Sequence, residues 1–132
     1  MKLTDLAIGD LILINNTPHK IQAIDSIDAK ILADDDLYYV GEDRCHSEDK
    51  IEGIPITPEI LEKNGFIKVN SQRYDYGYPD TDCYVKVNPK KNMIHTNGRN
   101  ANSNLYSHSF VHELQRALRL CGLNELADNF KI

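Results

Sequence analysis

No apolar run in this chain approaches the roughly 18–20 residues that a membrane-spanning helix requires, so a protein held in a bilayer by helices is excluded. Cysteine is scarce. Cys45, Cys83 and Cys121 are odd in number and far apart, which argues against a disulfide framework and for three free thiols in a reducing compartment. No Cys-x-x-Cys pair exists, so a structural zinc site would have to be assembled from distant positions. There is also no glycine-rich phosphate loop and no paired-carboxylate pattern. The opening residues, Met1-Lys-Leu-Thr-Asp-Leu6, lack the apolar stretch of a secretory signal, which predicts a cytoplasmic location.

What remains is an ordinary globular composition. With 132 residues, 41% hydrophobic and 27% charged, the chain reads as one domain or two very small subdomains sharing a core. The net charge of −5 is unevenly spread. Residues 25–52 carry ten acids and three bases, a balance of −7, while 1–24 is neutral and 53–132 is +2. The first half is therefore a poor binder of phosphate backbones.

The best-specified stretch is Ile54-Pro-Ile-Thr-Pro-Glu-Ile-Leu-Glu-Lys-Asn-Gly-Phe66. Thr57 suits an N-cap, Pro58 the first helical position, and Ile56 with Leu61 a hydrophobic staple. Gly65 suits the left-handed residue that ends a helix, which predicts a short linking helix over 57–64. Before it, Leu6–Ile14, His19–Asp25, Ala29–Ala33, Leu37–Val40 and Ile51–Ile56 read as short strands. Asn15-Asn-Thr-Pro18 and Asp34-Asp-Asp36 are the turns between them. Residues 1–56 thus predict a β-rich, SH3-like subdomain, and 57–65 a linker.

In residues 66–132, Phe66–Val69, Arg73–Tyr78, Cys83–Asn88 and Met93–Thr96 predict an antiparallel β-meander, with a turn at Asn88–Asn92. Asn97–Asn104 reads as a polar loop. Phe110, Val111, Leu114, Ala117, Leu118 and Cys121 recur at helical spacing, so 108–121 predicts an amphipathic helix with Glu113, Gln115, Arg116 and Arg119 mostly on its wet side. Gly122 ends it, and Leu123, Leu126, Ala127 and Phe130 predict a second short helix or an apolar tail. A surface of Leu126 and Phe130 could drive dimerisation. The fold class is α+β, forming one compact unit.

The Ile54–Phe66 stretch and Val111-His-Glu-Leu-Gln-Arg-Ala-Leu-Arg-Leu-Cys-Gly122 together resemble a group of small uncharacterised proteins encoded in Bacteroidetes genomes, their prophages and mobile elements. The Ile8-Gly9-Asp10 segment fits the same group. The resemblance implies an accessory protein of a phage or mobile element, working in the host cytoplasm. It carries over no activity and no catalytic residue.

The residues themselves point away from catalysis. His112-Glu113 opens like the zinc-protease motif, but Arg116 stands where the second histidine is required. His108 and His112 share helical spacing without a third ligand, so no metal and no cofactor is expected. Cys45-His46 lies among Glu42, Asp43, Glu48 and Asp49, which would raise the thiol's pKa. Two binding surfaces stand out instead. Asp34, Asp35, Asp36, Glu42 and Asp43 form an acidic surface suited to a basic protein partner. Tyr74, Tyr76 and Tyr78 alternate onto one sheet face, either as core or as a platform for bases, with Arg73, Lys86, Lys90, Lys91 and Arg99 as backbone contacts. The reading is a non-enzymatic interaction protein with a protein partner, and a nucleic-acid-binding factor is the alternative.

Overall fold

The computed structural model of the protein describes residues 5–25, 30–33, 46–47, 50–77, 84–98, 101–106 and 110–132. The chain divides into two compact units, Met1–Ile54 and Pro55–Ile132. Both are built on antiparallel sheets, and the helices lie in the second, so the α+β expectation holds.

The first unit contains β1 (Leu11–Ile14), β2 (Thr17–Asp25), β3 (Lys30–Ala33), β4 (His46–Ser47) and β5 (Ile51–Glu52), in the order β4-β3-β2-β1-β5. Its core is aliphatic: Leu6, Ile12, Ile14, Ile21, Ile31 and Ile51 are buried together. Ile14 pairs with Thr17, so only Asn15 and Asn16 form the turn, and both take positive φ, 52° and 63°. This is the two-residue hairpin for which asparagine is suited. Pro18, expected in the turn, pairs with Leu13 inside β2. That position is next to the closing pair, where the backbone N–H points away from β1, so proline loses nothing there.

The Ile8-Gly9-Asp10 segment is a lock on this sheet. Asp10 is buried, and its Oδ2 accepts the Ala7 N–H at 2.8 Å. Gly9, at φ 93°, donates to the Ile21 carbonyl at 2.8 Å, and the Ile21 N–H donates to the Asp10 carbonyl at 2.9 Å. A register shift between Ile21 and Ala23 against β3 marks a bulge, which adds local twist. The expected strand 37–40 and the tip 34–36 lie outside the described residues.

The second unit begins with α1 (Pro58–Lys63). Thr57 Oγ1 accepts the Ile60 N–H at 3.2 Å, and Leu61 is fully buried. At the other end Phe66 donates to the Leu61 carbonyl at 3.0 Å and Gly65 to that of Glu62 at 3.1 Å, a Schellman cap around Gly65 at φ 85°. The meander follows as β6 (Ile67–Lys68), β7 (Tyr74–Gly77), β8 (Tyr84–Asn88), β9 (Met93–Gly98) and β10 (Ala101–Tyr106), each strand beside the next.

The expected Asn-rich loop is corrected here. Ala101 pairs with Gly98 and Tyr106 with Met93, so Asn97 and Gly98 end β9 and residues 101–104 belong to β10. Asparagine's weak strand preference is overridden by the backbone bonds that β9 offers.

Helix α2 (Val111–Leu120) packs along β9, and α3 (Asn124–Asp128) packs back on α2. It starts later than the expected His108, with Glu113 Oε1 accepting the Phe110 N–H at 3.2 Å. A second Schellman cap closes it: Leu123 donates to the Leu118 carbonyl at 2.9 Å around Gly122, at φ 79°. Gln115, placed on the wet side by the sequence, is fully buried because its Nε2 donates to the Ala127 carbonyl at 2.9 Å. Phe130 is buried too, so the expected Leu126–Phe130 dimer surface is not exposed as a pair. Cys121 is a buried free thiol on the apolar face, as its spacing predicted.

The chain's last residues are fastened to α1. Asn64 donates through Nδ2 to the Lys131 carbonyl at 2.7 Å and accepts the Lys131 N–H at 2.7 Å. Its Nδ2 also reaches the Ile60 carbonyl at 2.8 Å.

Candidate functional site

Strand alternation sorts the meander into two faces. Tyr74 pairs with Val87 and Val87 with Ile94, while Tyr76 pairs with Val85 and Val85 with Thr96. All of these are buried except the half-buried Tyr76, on the side where α2 packs along β9. Tyr74 is only 4% exposed, and the Tyr76 ring lies 5.4 Å from that of Phe66. A ring that stacks bases must be open to them. The tyrosine platform is therefore corrected for Tyr74, which is core, while Tyr76 lies on the same face and packs on Phe66 just beyond α1. Tyr78 and Arg99 lie outside the described residues, as do Asp34, Asp35, Asp36, Glu42 and Asp43.

The opposite face carries charged side chains. Asp75 pairs with Lys86, and Lys86 with His95, placing the three in one row across β7, β8 and β9. Ile67 extends the row on β6, paired with Asp75. A second row follows from Gly77, Tyr84 and Asn97. Arg73 stands just before β7, and its Nε lies 3.0 Å from Asp75 Oδ1 while its Nη2 reaches Oδ2 at 3.1 Å. Only the Nη2 contact is a hydrogen bond, and it ties one end of the guanidinium to Asp75. The Lys86 ammonium sits 5.1 Å from the centre of the Tyr84 ring, and that ring lies 6.3 Å from His95.

Between these side chains is a concavity of about 280 Å³, lined by Arg73, Lys86, Val87, Asn88, Met93 and His95. Asn88 also shapes its border, because its Oδ1 accepts the Lys91 N–H at 3.2 Å and closes a 3-10 turn over Pro89–Lys91. Lys90 and Lys91 are exposed on that turn. Asn92 completes it at φ 51°.

Sequence reasoning named Lys86, Lys90 and Lys91, and it missed Tyr84 and His95. A signal was present: Tyr84 and Lys86 alternate with the core residues Val85 and Val87, so they had to face outward. Among the described residues, no three His, Cys, Asp or Glu side chains converge as a metal site. His112 is buried and stacked on Phe110 at 5.8 Å, while His108 lies outside the described residues. No protein-family model, curated protein or solved structure matches the chain.

Proposed function

We propose that this is a non-enzymatic binding protein that holds single-stranded nucleic acid on the open face of its C-terminal sheet. The observation that carries this reading is the grouping of Arg73, Lys86, His95 and the Tyr84 ring, all partly exposed, on one sheet face. A flat face with a half-exposed aromatic takes an unstacked base, and the cations beside it take the backbone. Arg73 is already neutralised by Asp75, so Lys86, Lys90 and Lys91 supply most of the attraction. Two or three phosphates engaged give a slope of log affinity against log salt of about −2.

The test is fluorescence anisotropy with a labelled single strand of about ten nucleotides and the duplex of the same sequence. Tighter binding of the single strand, weakened by Tyr84→Ala and by salt, is expected. Equal binding of both forms, or indifference to Tyr84→Ala, refutes it.

A protein partner is the second reading. It is favoured by Ile67 and Val69, which are 63% and 48% exposed on and just beyond β6. A protein that stays bound after nuclease treatment and is lost from Ile67→Lys would place it ahead.

A further inference from the structure

We infer that the concavity bounded by Arg73, Lys86, Met93 and His95 is a discrete phosphate site that holds one phosphoryl group of a larger ligand. Its volume of about 280 Å³ leaves room beside that group for the rest of the ligand. The donors arrive from separate parts of the sheet: Arg73 ahead of β7, Lys86 on β8 and His95 on β9. Each is restrained by its neighbours. The Asp75 carboxylate holds one end of the Arg73 guanidinium, the Tyr84 ring underlies the Lys86 ammonium, and the His95 ring lies 6.3 Å from that of Tyr84. Restrained donors lose little entropy when they close on an anion. Met93 and the backbone of Val87 complete the wall, and partial exclusion of water strengthens charge-assisted bonds.

The charge balance sets the strength. The charged side chains in and beside the concavity, among those described, are Arg73, Asp75 and Lys86, with Lys90 and Lys91 on the bordering turn. Asp75 cancels Arg73, which leaves the lysines as the net cations. Such a site holds one phosphate of a larger ligand and takes the free ion only weakly. The phosphate is either an internal phosphodiester of a strand or a terminal phosphomonoester. Only that choice of source rests on the nucleic-acid reading.

The experiment is a proton–nitrogen correlation NMR titration of the full chain with sodium phosphate, against sodium chloride at matched ionic strength. Saturable shifts of the amide signals of Arg73, Lys86, Asn88, Met93 and His95 are expected with phosphate alone. Lys86→Gln weakens binding about tenfold, the loss of one hydrogen bond to a charged group, and Lys86→Arg restores most of it. Shifts that never saturate, that chloride reproduces, or that Lys86→Gln leaves unchanged overturn the site.

Two oligonucleotides, one ending in a phosphate and one in a hydroxyl, identify the source. Tighter binding of the first assigns a phosphomonoester, and equal binding weakened by Lys86→Gln assigns a phosphodiester. Oligonucleotide binding that Lys86→Gln leaves intact refutes the phosphate site while sparing the nucleic-acid reading. Phosphate binding without oligonucleotide binding sustains the site and refutes that reading.

Discussion

Replacing Asn64 by alanine tests how firmly its side chain holds residues 131–132, which Lys63 Nζ also reaches through the Ile132 carbonyl at 3.3 Å. Asn64 is buried, and its amide makes three hydrogen bonds: two with the Lys131 backbone, each 2.7 Å, and one of 2.8 Å to the Ile60 carbonyl. Each such bond contributes about 0.5–1.5 kcal/mol net. Lys131 is exposed, so its freed backbone groups recover water and the sum is discounted. A loss of about 2 kcal/mol follows for Asn64→Ala. In a unit of this size that lowers the midpoint of thermal unfolding by roughly 10 °C. The near-ultraviolet circular dichroism of tyrosine is the suitable probe, because five of the seven tyrosines lie in Pro55–Ile132. Asn64→Asp separates the contributions, since it keeps an acceptor for the Lys131 N–H but replaces the donor with a carboxylate facing two carbonyls. It is expected to cost at least as much as alanine. A midpoint within about 2 °C of the unsubstituted chain for both variants refutes the clamp.

Two further perturbations follow from the backbone. Gly65→Ala forces an L residue to φ 85° and places its Cβ 3.4 Å from Tyr76 Cε2, whereas Gly122→Ala meets the same strain at φ 79° with open space around it. Urea unfolding is expected to show a loss of about 1 kcal/mol for each, because the 3.4 Å approach is ordinary contact and the positive φ is the shared cause; an unchanged midpoint for either would contradict the strain. Asp10→Ala removes the acceptor for the Ala7 N–H beside the Gly9–Ile21 lock and is expected to cost about 1–2 kcal/mol. Hydrogen exchange should localise that loss to the first unit, with faster exchange at Gly9 and Ile21; unchanged protection there would show that the lock holds without the side chain.

The parts of the fold legible in the sequence are those whose causes are local. Thr57, Pro58 and Gly65 specify α1 within eight residues, and Gly122 ends α2 by the same mechanism. The alternation of Val85 and Val87 with Tyr84 and Lys86 told inside from outside on β8. What escaped depended on distant partners. The Asn64 clamp joins residues 67 apart in the chain. Gln115 is polar by type and buried by its reach to α3, and β10 is a strand because β9 lies beside it. The candidate site failed to show for the same reason. Arg73, Lys86 and His95 converge only once the registers of β7, β8 and β9 are set, and no spacing along the chain encodes that meeting.

The composition of the open face is what separates a binding surface from a merely solvated one. An antiparallel sheet covered on one side needs only polar residues on the other. Here Tyr84 and Met93 are half-buried on that side, and Ile67 and Val69 are strongly exposed at its border. None of these is required to form the core, which Tyr74, Val85, Val87 and Ile94 already supply. Edge-to-edge pairing is a poor account of the exposed pair, because β6 is two residues long and the exposed Lys68 sits between them. Short, charged edges resist strand addition. Ile67 and Val69 thus favour a partner that lies across the face, as a protein would, whereas the Tyr84 ring and the nearby cations are what the nucleic-acid proposal rests on.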